Sequence, residues 1–83
     1  MNPLEELRSA LLTLEPTRLE IRDDSARHAG HAGAREGGHF HVIIESAAFA
    51  GVPALERHRM VYAAAAKLMG RGIHALSIDA RPA

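Results

Sequence analysis

Apolar positions along the chain follow two rhythms, one helical and one extended, and the order in which they alternate predicts the architecture. Leu4, Leu7, Leu11 and Leu14 recur at helical spacing and form one apolar stripe. Asn2 is placed to cap that helix, Pro3 suits its first position, and Glu5 and Glu6 favour the positive end of its dipole. Pro16 stops it, so the first helix is expected to run to about residue 14. Arg18-Leu19-Glu20-Ile21-Arg22 then alternates and predicts a strand with Leu19 and Ile21 facing the core. His39 to Ser46 predicts a second strand, with Phe40, Val42 and Ile44 on one face and His39, His41 and Glu45 on the other. After the turn Phe49-Ala50-Gly51-Val52-Pro53 the helical rhythm returns. Leu55, His58, Val61, Tyr62, Ala65, Leu68 and Met69 are expected on the buried side of this second helix, with Gly70 and Gly72 ending it. Ile73 to Ile78 predicts the third strand, and residues 80–83 a short tail.

Residues 23–38 keep neither rhythm. Gly, Ala and His dominate there and predict a long, flexible loop, a kind of connection that is uncommon inside a small domain and often functional. The resulting order is α-β-β-α-β. The first two strands are expected to run antiparallel, and a right-handed return through the second helix sets the third strand parallel to the second. Both helices then cover the Leu19/Phe40/Val42 face, while Arg18, Glu20, Arg22, His39 and His41 stay in water. The prediction is one α+β domain over residues 1–83, a two-layer sandwich with a three-stranded mixed sheet and its helices on one face.

Composition narrows the chemistry. The 83 residues suffice for one domain with a modest core. Ten basic residues balance ten acidic ones, so no global field draws the chain onto phosphates. Cysteine is absent, which excludes disulfides, a thiol nucleophile and thiolate ligands from this chain, and favours a reducing compartment. No apolar run approaches a membrane span, and the acidic start does not fit a secretory leader, so a cytoplasmic location is expected.

Catalysis finds little support. Ser25, Ser46 and Ser77 lack a nucleophile-elbow frame, no glycine-rich phosphate loop opens a helix, and Asp23-Asp24 fits a turn. Six histidines are the unusual feature. His28 and His31 lie in the glycine-rich loop, as polar loop residues or as metal ligands. His39 and His41 are expected to be solvated. His58 falls on the apolar stripe of the second helix and is expected to be buried and hydrogen-bonded; His74, in alternation with Leu76 and Ile78, is expected at the core edge. Arg57, Arg59 and Lys67, with Arg71 just beyond, give the second helix a basic flank, and a turn before a basic helix invites a nucleic-acid-binding reading. Glu56 and the neutral balance favour a solvated face instead.

The chain resembles the BolA family. The likeness is carried by Leu19-Glu20-Ile21-Arg22-Asp23-Asp24-Ser25, His28, His39-Phe40-His41-Val42, Phe49-Ala50-Gly51, Glu56-Arg57-His58-Arg59-Met60-Val61-Tyr62 and Ile73-His74-Ala75-Leu76-Ser77-Ile78. These segments, in this order, span most of the chain from about Pro3 to Ala80. The resemblance implies a fold related to the type II KH domain and a non-enzymatic role beside a monothiol CGFS glutaredoxin, with which it would share a [2Fe-2S] cluster in iron–sulfur and iron homeostasis. It implies His74 as one ligand and a second from the loop, at His28 or its neighbour His31. Without cysteine the chain does not hold such a cluster alone, so thiolates would come from the glutaredoxin and a bound glutathione. Imidazole ligation would make the complex sensitive to pH, since a protonated ring does not coordinate. The resemblance also implies a second role, DNA-binding transcriptional regulation in the stress response through the helix-turn-helix-like segment 49–69, with Arg57, Arg59, Lys67 and Arg71 as the contacts. By itself the chain is expected to be a monomer or weak homodimer, away from membranes.

Overall fold

The computed structural model describes residues 2–25 and 38–83. Helix α1 (Pro3–Leu11) opens as the sequence dictates: the Asn2 side chain accepts a hydrogen bond from the Glu5 N–H at 2.9 Å. It ends earlier than its leucine stripe implies, because Leu12–Leu14 tighten into a 3-10 turn ahead of Pro16. Strand β1 (Arg18–Asp23) follows, then β2 (Gly38–Ser46), helix α2 (Ala54–Ala64) and β3 (Ile73–Pro82). The sheet order is β1-β2-β3, antiparallel between β1 and β2 and parallel between β2 and β3. The fold is α+β, with a three-stranded mixed sheet.

One face of the sheet builds the core. Phe40, Val42 and Ile44 from β2 and Ile73 and Leu76 from β3 meet Leu7 and Leu11 of α1, Val61 and Ala65 of the second helical segment, and Phe49 from the turn before it. Leu19 and Ile21 pack on the edge of this cluster. Among the described residues Ser46 is the buried polar one, and its hydroxyl both donates and accepts: it donates to the Leu14 carbonyl at 2.6 Å and accepts from the Ala48 N–H at 3.1 Å. That one side chain ties the end of α1's turn to the end of β2.

Three expectations are corrected. Residues 80–83 are not a tail: β3 continues to Pro82, paired with β2 as far as Ser46↔Pro82, and the Ala83 N–H donates to the Ser46 carbonyl at 3.1 Å. The strand runs on because β2 supplies main-chain partners along its whole length. The second helix stops at Ala64 and tightens into a 3-10 turn at Ala66–Leu68, well before Gly70. Leu55 and His58 are exposed, not buried, since the part of this helix that reaches the core begins at Val61.

Candidate functional site

The end of the sheet where β2 and β3 begin is irregular. Gly38 pairs with Ile73, but His39 pairs with Ala75, so His74 is an extra residue in β3. This is a β-bulge, a device that re-aims side chains and ends regular alternation. Its effect is direct. Ile73 and Leu76 are both buried although three positions apart, and His74 between them is exposed. The expectation that His74 shares a face with Leu76 and Ile78 therefore fails. Gly72, at φ 133°, a backbone region open mainly to glycine, leads into the bulge, and its carbonyl accepts from the Gly38 N–H at 2.9 Å.

The re-aimed imidazole meets a second one. The ring centroids of His39 and His74 are 5.1 Å apart, with the planes tilted by 51°. His39 is half-buried and its Nε2 is shielded from solvent, so the expectation of a freely solvated ring is also corrected. Its backbone is clamped on both sides: the N–H donates to Ser25 Oγ at 3.0 Å, and the carbonyl accepts from the Asp24 N–H at 2.7 Å. Gly38 is required here, because a Cβ would come within 2.6 Å of the Phe40 ring and 3.2 Å of Ser25 Oγ. Segment 26–37 thus leaves from Ser25 and returns at Gly38 beside the two histidines. His28 and His31 lie outside the described residues.

Farther along the same face the side chains satisfy one another. Arg18 pairs with Glu20 and, at 3.2 Å, with Glu45; Arg81 pairs with Asp79; and Arg22 pairs with Asp24 at 2.8 Å. The hydrogen bond from Arg81 holds the Asp79 carboxyl below the ordinary carboxylate range, and the bonds to Glu20 and Glu45 raise the Arg18 guanidinium. The arginines of these pairs are about half exposed or more, so solvent weakens the pairs and the network orders the surface more than it stabilises the fold.

The basic flank of α2 divides in the structure. Arg57 points inward: its Nε donates to the Ala80 carbonyl at 2.8 Å and its Nη1 to the Val52 carbonyl at 2.6 Å, joining the helix start to β3 and to the preceding turn. Arg59 is exposed and pairs with Glu56 at 2.7 Å, while Lys67 and Arg71 are exposed beyond the helix. Instead of being buried, His58 stacks on Tyr62, with centroids 5.0 Å apart and planes 24° from parallel. The Tyr62 hydroxyl donates to the Leu76 carbonyl at 2.9 Å. A groove of about 190 Å³ between α2 and β3 is lined by Arg57, His58 and Asp79 among others. Arg57 is bonded within the fold and Asp79 to Arg81, which leaves this groove without an acid–base pair poised for catalysis.

The mixed three-stranded sheet, its bulged third strand and the two helices define a small α+β domain. The family model for the BolA-like protein matches residues 11–83, and the chain belongs to that family. It is 44% identical to human BolA-like protein 1 over 68 residues, covering 82% of this chain and 48% of that protein. It is 45% identical over 69 residues to the chloroplastic protein BOLA1 of Arabidopsis thaliana, covering 78% of this chain and 43% of the other. The chain therefore spans about half the length of these curated relatives. The DNA-binding transcriptional regulator BolA of Escherichia coli is 39% identical over 74 residues, covering 89% of this chain and 66% of the regulator. Among solved structures, BolA1 from Arabidopsis thaliana superposes with a TM-score of 0.83 at 36% identity, covering 99% of this chain and 93% of its own. The BolA domain of SufE1 from the same plant gives 0.81 at 40% identity, covering 94% and 88%.

Sequence reasoning missed His39 as a member of this corner. The available signal is positional: Gly38-His39 and Gly72-Ile73-His74 both open strands, and parallel neighbours start at the same end of a sheet.

Proposed function

We propose that this chain is a non-enzymatic adaptor that docks a monothiol CGFS glutaredoxin and donates His74 to a shared [2Fe-2S] cluster, with a second imidazole from His28 or His31. The observation that carries this reading is the bulge, which exposes His74 at the sheet end from which segment 26–37 departs and to which it returns. Among the described residues no group of three or more histidines and carboxylates gathers as a metal site. An exposed imidazole within an incomplete donor set fits a cluster whose other ligands are thiolates of a partner and of glutathione. When bound, such a cluster supplies electron transfer or iron–sulfur transfer. This chain's part is to present the ring, hold it on a rigid strand end and offer the adjoining face to the partner. Imidazole in place of thiolate raises the potential of a cluster and makes its retention depend on a neutral ring. The lack of cysteine fits a reducing compartment such as the cytoplasm.

The test is to mix the purified chain with a CGFS-type glutaredoxin, iron, sulfide and glutathione, and to record visible absorption and circular dichroism. A spectrum distinct from that of the glutaredoxin homodimer is expected, and His74→Ala should abolish or reshape it. A spectrum unchanged by His74→Ala, or no heterodimer at all, overturns the reading.

The printed function of the Escherichia coli relative favours a second reading, DNA-binding regulation. The contacts it would draw on are Arg59, Lys67 and Arg71, because Arg57 is engaged by the protein's own carbonyls. Affinity for duplex DNA that falls steeply with added salt is its signature.

A further inference from the structure

We infer that β1 is a self-recognition edge: two copies of the chain pair through this strand, antiparallel about a two-fold axis at Ile21, and join their three-stranded sheets into one. The surface lies at the opposite edge of the sheet from β3, which carries His74, and it needs no glutaredoxin.

The fold finishes its two sheet edges differently. On β3 the outward carbonyls of Leu76 and Ala80 accept from Tyr62 and Arg57. Among the described residues no such cap reaches β1, the other end strand. The Asp24 N–H donates to the His39 carbonyl at 2.7 Å, which in an antiparallel ladder makes Arg18, Glu20 and Arg22 the residues whose main chain faces β2. The N–H and C=O groups of Leu19, Ile21 and Asp23 therefore face outward, and a second extended strand satisfies them together.

Charge decides which strand that is. Arg18 pairs with Glu20 and Arg22 with Asp24, so four side chains of alternating sign stand on one face. Laid antiparallel to itself about Ile21, the strand sets Glu20 opposite Arg22 of the second copy, and Arg18 opposite Asp24, each pair occurring twice. These are the positions without direct main-chain bonds, where facing Cα atoms stand about 4.5 Å apart and side chains meet most closely. Each carboxylate keeps its own arginine and gains one from the second copy. Sliding by two residues, the smallest step that keeps the outward groups facing one another, fails in both directions. An axis at Glu20 sets Glu20 against itself and Arg18 against Arg22. An axis at Arg22 sets Arg22 against itself and Glu20 against Asp24. Charges on an edge strand usually discourage pairing, but here they oppose the neighbouring registers and favour one. On the other face, Leu19 and Ile21 are half-buried at the margin of the core, and this register brings Ile21 against its copy.

The experiment uses the full chain alone, followed by sedimentation velocity from micromolar to millimolar concentration and by ¹⁵N-edited spectra of the backbone amides. A monomer–dimer equilibrium is expected, with the Leu19, Ile21 and Asp23 amides shifting as concentration rises and added salt weakening the dimer. Glu20→Arg and Arg22→Glu each set like charges opposite one another twice, and each should weaken self-association by roughly tenfold. Both positions are exposed, so the fold is retained, which circular dichroism checks. Mixed in equal amounts, the two variants should associate again, because Glu20→Arg in one copy faces Arg22→Glu in the other. A structural defect does not recover on mixing. A chain that stays monomeric at millimolar concentration, a dimer indifferent to both reversals, a mixture that fails to recover, or amide shifts centred on β3 overturns the proposal. Since neither glutaredoxin nor cluster is present, these outcomes leave the cluster reading to its own test.

Discussion

The histidine corner of the sheet and the start of α2 are both rich in nitrogen donors, yet they use them in opposite ways. At α2 the Arg57 guanidinium turns inward and spends its hydrogen bonds on the Val52 and Ala80 carbonyls, and Arg59 is paired with Glu56. At the corner, a one-residue irregularity turns His74 outward beside His39. A basic side chain on a helix is therefore not by itself a binding surface. What separates the two regions is that the Arg57 donors are spent on main-chain carbonyls the fold must satisfy, whereas at the corner His74 is exposed beside a half-buried His39.

The largest expected effect in breaking this comparison comes from Arg57→Ala. Two charge-assisted hydrogen bonds are lost and the Ala80 and Val52 carbonyls lose a partner, which costs about 2–3 kcal/mol. In a domain of this size each kcal/mol shifts Tm by roughly 4–8 °C, so thermal unfolding followed by circular dichroism should move down by roughly 10–20 °C. Arg57→Lys should recover little of it, because one ammonium does not reproduce a planar fork reaching two carbonyls. An unchanged Tm in Arg57→Ala would return that side chain to the surface and erase the contrast.

A smaller effect sharpens the same point on β3. Tyr62→Phe keeps the ring that stacks on His58 and removes the hydroxyl that donates to the Leu76 carbonyl. The expected loss is about 1 kcal/mol, read as a lower denaturation midpoint with an unchanged m-value. Together, Tyr62 and Arg57 cap two carbonyls of β3, at Leu76 and Ala80. Such caps restrain an edge strand from pairing with another chain. A Tyr62→Phe domain as stable as its parent would show that the edge is held by packing alone.

How far the sequence discloses all this depends on the kind of information involved. Element order and the core residues Leu7, Leu11, Phe40, Val42, Ile44 and Val61 follow from local periodicity, which burial enforces, and sheet direction follows from the rules that govern strand connections. The Asn2 cap follows from local chemistry alone. The exposure of His74 does not, because alternation assumes regular pairing and the bulge is a property of two strands read together. His58 misleads for a related reason: it lies on the apolar stripe, but the helix reaches the core only farther along, at Val61. The inward turn of Arg57 was equally hidden, since its acceptors Val52 and Ala80 are recognisable only once α2 is packed against β3.

The smallest expected effect on stability separates the two functional readings most cleanly. Arg59 and Glu56 form an exposed pair on α2, with side chains 65% and 51% accessible. Pairs of this kind contribute at most about 0.5 kcal/mol, so Arg59→Ala should unfold almost where the parent does. Any functional change is then a change of contacts and not of folding, which Arg57→Ala cannot offer. If α2 lies against DNA, removing Arg59 eliminates about one phosphate contact and lowers the slope of log affinity against log salt by about one. If the chain acts through His74, the glutaredoxin heterodimer and its visible spectrum remain as they were. A heterodimer spectrum sensitive to Arg59 would mean that the partner spans both regions, and the division between a structural helix start and the histidine corner of the sheet would no longer hold.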